Sequence, residues 1–245
     1  KVKMERSFER ADGRSTNQLR PMKCEHGPLH RAHGSAQYSQ GLTSVLVGVY
    51  GPVPVPMRQE IIDRATVEVI FKSLAGHQTN FDTEKGNTIR QALESIVLGA
   101  LHPRTKITIV VQVLHNDGSL LACCINASYL GLVNAGISCS GMLSAVTVSI
   151  RHKDPSQQTS ATASLGEQFV LDPSRTEQEE IGNAVTFAIK NSATSSSQKE
   201  FVACDTRGIL LTDSRFHNAL TISHGAAAAI FSFFKLSLQK TVEAL

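Results

Sequence analysis

Residues 116–121 hold the side chains whose types and spacing come closest to a binding site for an anion. They read Asn-Asp-Gly-Ser-Leu-Leu and join a strongly alternating segment to a run of small and apolar residues at 120–135. Such a turn directs a helix N-terminus out of a sheet, where backbone N–H groups and the helix dipole favour negative charge. A phosphate dianion also needs cationic and hydroxyl donors, and Leu120 and Leu121 supply neither. Whether this turn still binds an anion decides between an enzyme and a chain that has lost its chemistry.

The carboxylates of "RTEQEE" are a second group of candidates: Glu177, Glu179 and Glu180. Carboxylates can ligate a divalent metal or act as general acid and base. A run of charge is more often a solvated face, and we favour that interpretation here. Asp172 lies just before this run. Because its carboxylate could bind a metal together with the neighbouring glutamates, metal-dependent hydrolysis stays an alternative.

The cysteines and histidines do not form a metal-binding pattern. Five cysteines occur without CxxC spacing, and the adjacent pair Cys123 and Cys124 would point about 100° apart on a helix. His26 lies near Cys24, but no further ligand completes a set of four. We therefore expect reduced, packed thiols of an intracellular protein, no structural zinc, no other metal and no cofactor.

Composition excludes several function classes. Hydrophobic residues make up 41% of the 245 residues and charged residues 18%, which is typical of a folded chain rather than a disordered one. We expect no apolar stretch long enough to span a bilayer and no membrane contact. Because 24 basic residues face 21 acidic ones, a net charge of only +3, any RNA contact must be local or shared with partners.

Alternating apolar residues predict the strands that position these candidates. The strands are expected at 45–49, 65–71, 107–113, 142–150, 167–172, 184–190 and 200–205. Helical spacing predicts three helices, at 86–101, at 120–135 with Gly136 in the C′ position, and from Thr212 or Asp213 onward. Polar loops at 151–166 and 192–199 are expected to be mobile connections between strands.

Together these elements predict an α+β fold. Mixed β-sheets would lie in two β-then-α halves, about 11–140 and 141–245, packed with helices in a single domain. Residues 1–10 are expected to be a flexible segment, in which Met4 is a candidate natural start.

Three stretches of the sequence resemble the RNase PH family. Residues 11–53 contain Asp-Gly-Arg, Leu-Arg-Pro and Gly-Ser motifs and a strand that ends in Tyr-Gly-Pro. Residues 101–137 resemble the family's central segment, and 169–189 its second-half strand pair. The resemblance covers nearly the whole chain and implies an RNase PH-like fold. Within the family, "LHPRT" followed by "DGSLLACCINA" is most similar to a ring subunit of the eukaryotic RNA exosome.

The resemblance also implies a chemistry for the turn. Active members of the family are phosphorolytic: inorganic phosphate attacks the last 3′ linkage of RNA and releases a nucleoside diphosphate. Their turn resembles Asp-Gly-Gly-Thr-Arg-Thr, in which the Thr and Arg side chains hold the phosphate. The same six positions here are Asp117, Gly118, Ser119, Leu120, Leu121 and Ala122.

Two further positions depart from the family's pattern. The resemblance places its acidic residues at Gln178 and Ala184, and its phosphate-facing arginines on the helix that contains Arg90, where Glu94 replaces a cation. An anion there would repel phosphate. Losing a bidentate arginine and an acid together would remove several kcal/mol of transition-state stabilisation. We therefore predict no catalytic residue and a degenerate phosphate site at Asp117, Gly118, Ser119, Leu120 and Leu121.

Candidates for RNA contact are few. Residues 72–87 resemble the family's RNA-facing loop, and Lys72, Lys85 and Arg90 flank it; Arg104, with Lys106, is a further candidate. An isolated surface cation is usually only solvated. The alternative for each of these side chains is therefore that it contacts solvent and no RNA.

The resemblance implies a non-catalytic exosome ring subunit with a structural role in 3′-to-5′ RNA processing and degradation. Its partners would be other RNase PH-like ring subunits, cap subunits and single-stranded RNA, in the nucleus, nucleolus and cytoplasm. One alternative is an active nuclease that works as a homo-oligomer, by residual phosphorolysis or by metal-dependent hydrolysis of RNA or single-stranded DNA. Another is a generic dimeric binding module, and the isolated chain could form a homodimer.

Overall fold

Two β-sheets and four α-helices make up the described part of the chain. The structure is a computed structural model and describes residues 10, 12–58, 60–74, 79–151, 168–192, 199–208 and 212–243. The first sheet is formed by residues 22–115 and the second by residues 141–207. The division between the sheets therefore falls close to the boundary expected between the two halves.

The first sheet has five strands in the order β1-β2-β3-β5-β4. Its strands are β1 (Met22–His26), β2 (Gly34–Gln40), β3 (Thr43–Pro54), β4 (Thr66–Lys72) and β5 (Thr105–His115). β4 pairs with β5 in parallel, and the other pairs are antiparallel. The three strands predicted in this half are confirmed. β1 and β2 were not predicted, because their sequences, MKCEH and GSAQYSQ, lack alternating large apolar residues.

The second sheet has four antiparallel strands in the order β7-β6-β8-β9. Its strands are β6 (Gly141–Arg151), β7 (Gln168–Leu171), β8 (Ala184–Ser192) and β9 (Lys199–Arg207). All four were predicted from the sequence. Most of the two loops expected to be mobile, residues 152–166 and 193–198, lies outside the described residues.

Helix α2 (Leu120–Asn134) packs against both sheets, which explains its small side chains. Gly131 lies against Val47 and Val49 of β3. On another side of the helix, the Asn126 amide donates to the Ala145 carbonyl of β6 at 3.0 Å and accepts from the Ala145 N–H at 2.7 Å. The helix has the bounds predicted to within one residue and is followed by Gly136 at a φ of 71°, as expected.

Helix α1 (Asn80–Glu94) differs from the prediction of 86–101 at both ends. It starts earlier because Thr79 and Asp82 form a capping box, in which each side chain accepts from the other residue's backbone N–H. It ends earlier because Val97 forms a β-bridge with Cys139 and residues Gly99–Leu101 form a 3₁₀ turn. The apolar spacing continues past Glu94 because Ile96 is buried beyond the end of the helix.

Helix α4 (Asp213–Glu243) begins where the sequence predicted and is 31 residues long. Contrary to expectation, it is long and apolar enough to cross a membrane by length and composition alone. Its apolar residues have another role in the fold, since Ala219, Ala227, Ile230 and Phe234 are fully buried in the core. The Phe234 ring packs edge-on to Tyr38 of β2, with 6.1 Å between ring centroids.

Candidate phosphate site and its neighbours

The turn between β5 and α2 has a backbone conformation that few residues adopt. Gly118 has a φ of 90°, and a Cβ on it would lie 2.6 Å from the Pro173 carbonyl oxygen. Ser119, the N-cap of α2, has a φ of 50° and makes no side-chain cap. Its hydroxyl instead donates to the Pro173 carbonyl at 3.0 Å, and the residue is only 2% exposed. The Ser119 hydroxyl, the only side-chain hydroxyl among residues 116–121, therefore donates to the protein itself and not to an anion.

Polar groups of the turn are bound from three other segments. The Thr43 hydroxyl donates to the Gly118 carbonyl at 2.7 Å and accepts from the Asp117 N–H at 3.1 Å. The Arg20 guanidinium donates to the Asp117 carbonyl at 2.7 Å and to that of Gly118 at 3.2 Å. The Arg175 N–H also donates to the Asp117 carbonyl, at 3.1 Å. These bonds fix the turn without any anion, although the dipole of α2 still favours one.

Asp172, the candidate for metal-dependent hydrolysis, is bound to Arg20. One carboxylate oxygen accepts from Nη2 at 2.7 Å, and the other accepts from Nε at 3.0 Å and from the Arg20 backbone N–H at 2.9 Å. Asp172 is 1% exposed. Burial alone would raise the pKa of this carboxyl, but the hydrogen bonds and charge of Arg20 outweigh it and the pKa lies below its ordinary value. Both oxygens are therefore occupied by structural bonds.

The prediction that the carboxylates of "RTEQEE" form a solvated face is wrong for Glu177. The segment forms helix α3 (Arg175–Ile181), and Glu177 is 4% exposed. Its carboxylate accepts two hydrogen bonds of 2.8 Å from Arg10 and closes a capping box with Ser174. Glu179 and Glu180 are exposed, as expected. The capping box placed Glu177 inward, because its side chain must reach back to the Ser174 N–H.

Arg10 joins the N-terminal segment to this region. Its guanidinium, 3% exposed, also donates to the carbonyls of Leu171 and Asp172 at 3.0 Å each. Arg10 is thus part of the folded domain, although the sequence assigned it to a flexible segment at 1–10. Residues 1–9 of that segment lie outside the described residues.

A cleft of about 400 Å³ opens beside the turn. Leu120 and Leu121 line it, and so do Gln178 and Ala184, the positions where the resemblance places lost acids. The turn and the second-half strand pair therefore meet at one site, as the resemblance implies. Two residues that sequence analysis missed, Thr147 and Thr186, add hydroxyls to the wall, but these bond to each other at 2.9 Å.

Each cation among the described residues of this cleft has a carboxylate partner. Lys85 Nζ lies 3.6 Å from Asp82, Arg175 Nε 2.9 Å from Glu179, and Arg207 Nε 3.7 Å from Asp205. The positive charge that a phosphate would need is therefore largely compensated. Arg175 and Arg207 were not predicted; the only signal was the spacing of Arg175 and Glu179 at i and i+4 on a short helix.

The four candidates for RNA contact do not lie on one surface. Lys85 lines the cleft, and Lys72 is exposed at the end of β4. Arg90 pairs with Glu94 at 2.8 Å. Arg104 precedes β5 at the end opposite the turn, and the eleven residues of that strand span about 35 Å. Of these residues, only Lys85 touches the cleft.

The cysteines lie apart from any cluster of ligands. Cys123 and Cys124 are fully buried, and burial raises the pKa of the Cys124 thiol to about 12. Cys24 Sγ is 3.4 Å from His26 Nε2, which also contacts the Ser237 hydroxyl at 3.0 Å. Within the described ranges, no three Cys, His, Asp or Glu side chains come together in a way that could hold a metal ion.

Replacing Glu177 with glutamine is expected to destabilise the fold by about 2 kcal/mol at pH 7, because the bond to Arg10 loses its charge. Burial acts to raise the pKa of Glu177, but hydrogen bonds from Arg10 and the Ser174 N–H hold it below its ordinary value. Its contribution is therefore fully present above the pKa that a glutamate has in the unfolded chain and is lost as the pH falls through the lower pKa of the folded state. Thermal unfolding from pH 7 to pH 3 measures this, and the difference between wild type and variant should shrink.

The exposed Glu84→Gln is the matched control for this experiment, since Glu84 is solvated. Its unfolding temperature should equal that of the wild type at every pH. A Glu177→Gln deficit that stays constant from pH 7 to pH 3 would contradict the assignment of a charge-dependent bond to Arg10.

Comparison with known proteins relates the site to a family. A model of the 3′ exoribonuclease family, domain 1, described as RNase PH, matches residues 18–138. The exosome complex exonuclease RRP46 homolog of Oryza sativa subsp. japonica is 34% identical over 244 residues, which cover 94% of this chain and 96% of the relative. The homolog of the same name from Arabidopsis thaliana is 32% identical over 248 residues, 96% and 97% of the two chains.

Solved structures give the same fold. The crystal structure of rice Rrp46 superposes with a TM-score of 0.79 at 31% identity, covering 94% of this chain and all of that one. A structure of the Archaeoglobus fulgidus exosome with RNA bound to the active site superposes with a TM-score of 0.74 at 21% identity, covering 93% of each chain.

Proposed function

The chain belongs to the RNase PH family, and we propose that it is a catalytically silent ring subunit of an RNA exosome. Its role is structural: it completes a ring with related subunits and serves 3′-to-5′ RNA processing and degradation without cleaving RNA itself. The same proposal places it in the nucleus, the nucleolus and the cytoplasm.

One observation carries the proposal. The cleft where the family's phosphate site falls is lined by Leu120 and Leu121, and the hydroxyl of Ser119 is used within the protein. Phosphorolysis must bring a phosphate dianion against an already anionic RNA backbone, so it needs uncompensated cations. The cations of this cleft are paired with carboxylates instead.

Similarity over nearly the full chain supports the assembly named in this proposal. Two plant relatives that share about a third of their residues with this chain are named exosome RRP46 homologs. Those names include the word exonuclease, which describes the relatives, whereas the silent role proposed here rests on this chain's own cleft. The alternative of hydrolysis through Asp172 has less support because both oxygens of that carboxylate are bound to Arg20.

Reconstitution of the ring tests the proposal. We expect the chain to join the other RNase PH-like subunits in equal stoichiometry, and its omission to prevent the ring from closing. A double variant in the cleft, Arg175→Ser with Arg207→Ser, should assemble normally and leave RNA degradation by the complete exosome unchanged. Size-exclusion chromatography with light scattering and a 3′-end RNA decay assay measure the two effects. If the cleft variant slows decay as much as omission does, the silent role is wrong.

A further inference from the structure

One buried hydroxyl in the second sheet has no hydrogen-bond partner. Ser149 of β6 has an exposed fraction of 0%, and its Oγ has neither a donor nor an acceptor among the residues that the structure describes. Buried hydroxyls are nearly always hydrogen-bonded, because the bonds that they lose to water must be replaced inside the protein. The side chains next to Ser149 therefore decide what its hydroxyl could bind.

The strand register places the Ser149 side chain beside position 184. β6 and β8 pair in a regular antiparallel register, in which Thr147 is opposite Thr186 and Ser149 is opposite Ala184. Residues two apart on a strand share one face of the sheet, and so do residues directly opposite each other. We call the face that carries Thr147, Ala184 and Thr186 the cleft face, because all three line the cleft. Ser149 lies on the cleft face, next to Ala184.

A neighbouring pair shows that hydroxyls on the cleft face reach across the two strands. Thr147 Oγ1 and Thr186 Oγ1 are 2.9 Å apart. The pair of Ser149 and Ala184 lies two residues further along the same ladder and is therefore of the same type, with Cβ atoms about 4.5–5.5 Å apart. The Ala184 methyl group cannot accept the hydrogen bond of Ser149. An Asp or Asn side chain at position 184 would bring an acceptor oxygen within reach.

The surroundings of position 184 favour a carboxylate as that acceptor. On its other side Ala184 is opposite Arg207 of β9, so a carboxylate would lie between a hydroxyl donor and a cation. Ala184 is also half-buried and lines the cleft, which leaves the second oxygen of a carboxylate open to solvent. A hydrogen-bond donor and a nearby cation both stabilise the ionised form of a carboxyl group.

We infer that Ser149 is a positioning residue whose partner has been lost: its hydroxyl is placed to donate to a carboxylate at position 184, where this chain has alanine. The resemblance to the RNase PH family placed one of the lost acids at this position as well. The cleft face has therefore kept a donor that would hold an acid in place. The inference concerns the cleft alone and does not depend on assembly with other subunits.

The test introduces the carboxylate with Ala184→Asp and measures its pKa in the full chain by carbon NMR, with the aspartates isotopically labelled at Cγ. The signal that the wild type lacks belongs to the introduced carboxyl. We expect Ser149→Ala in the Ala184→Asp chain to raise the pKa of this carboxyl by about one pH unit, because its ionised form loses a hydrogen bond from a buried hydroxyl. The charged residues that line the cleft are the same in both chains: Lys85, Arg175, Glu179, Asp205 and Arg207.

Ser144 offers a matched control. It also lies on β6, has an exposed fraction of 0% and has a hydroxyl without a partner among the described residues. Because it lies five residues from Ser149, an odd number, it is on the opposite face of the sheet. Ser144→Ala in the Ala184→Asp chain should leave the pKa of the introduced carboxyl unchanged. In the wild-type chain, Ser149→Ala should not lower the unfolding temperature, because the hydroxyl has no bond to lose.

Three results would overturn the inference. The first is an unchanged pKa after Ser149→Ala, and the second is an equal rise after Ser144→Ala. The third is a clear loss of thermal stability when Ser149→Ala is made in the wild type, since Ser149 would then already have a partner.

A neutral acceptor keeps the inference testable if Ala184→Asp does not fold. In an Ala184→Asn chain, Ser149→Ala should lower the unfolding temperature by about 2–4 °C, the effect of losing about one hydrogen bond in a chain of this size. The same change in the wild type should have no such effect, and equal effects in the two chains would overturn the inference. Ring assembly is tested separately by the reconstitution described above.

Discussion

Replacing Arg20 with methionine is expected to lower the free energy of unfolding by about 3–5 kcal/mol, the usual cost of removing one partner of a buried ion pair. Asp172 would remain 1% exposed with no cation against its carboxylate. The carbonyls of Asp117 and Gly118 would each lose one donor as well, and would keep only the Arg175 N–H and the Thr43 hydroxyl. Urea unfolding, followed by circular dichroism and extrapolated to water, measures the loss.

Two variants test whether the loss comes from the ion pair. Arg90→Met removes a more exposed arginine paired with Glu94, and it should change stability by no more than about 0.5 kcal/mol. Arg20→Met combined with Asp172→Leu removes both charges and should recover part of the stability lost by Arg20→Met alone. A single variant as stable as the wild type would show that Arg20 does not hold the turn to Asp172.

The second large effect concerns catalysis. We expect the purified chain to release nucleoside diphosphate from RNA and phosphate at least about 10⁴-fold more slowly than an active member of the family, since each lost donor to the reacting phosphate costs roughly 10²–10³-fold. The physical reason is that Leu120 and Leu121 occupy the wall where donors are needed. Chromatography of the released nucleotides, with and without phosphate, measures it.

Divalent metals and a grafted variant complete this experiment. Adding Mg²⁺ or Mn²⁺ without phosphate should give no cleavage above background; cleavage there would favour the hydrolytic alternative. The double variant Leu120→Thr with Leu121→Arg restores the Thr and Arg side chains that hold the phosphate in active members of the family. We expect it to gain phosphate affinity yet remain inactive, because Gln178 and Ala184 still replace the acids. Phosphorolysis by the wild type at the rate of an active relative would contradict the silent role.

The sequence predicted the elements whose pattern is local and strong. β3 and β5 were predicted because their alternating apolar residues, many of them valines, are buried on one face of the sheet. α2 was predicted because its run of small and apolar residues is buried along most of its length. β1, β2 and α3 were missed because their sequences lack a regular spacing of large apolar residues. The start of α1 depended on the capping box of Thr79 with Asp82, a signal that is readable in the sequence but was outweighed by the later apolar spacing.

The site was predictable only in part. The turn and its missing donors follow from residues 116–121 and the resemblance. The bonds that replace a bound anion do not, because Arg20 and Asp172 lie 152 residues apart in the chain. The pairing of Arg207 with Asp205 and the burial of Glu177 likewise depend on how sheets and helices meet. Tertiary contacts of this kind leave little periodic signal in a single sequence.

Titration of the wild-type chain with inorganic phosphate by calorimetry tests the central claim most directly. We expect no saturable heat up to about 10 mM phosphate, which corresponds to less than about 3 kcal/mol of binding free energy. Saturable binding tighter than about 1 mM, with the ion located crystallographically between Ser119 and Arg175 or Arg207, would contradict the account of a phosphate site that no longer binds phosphate.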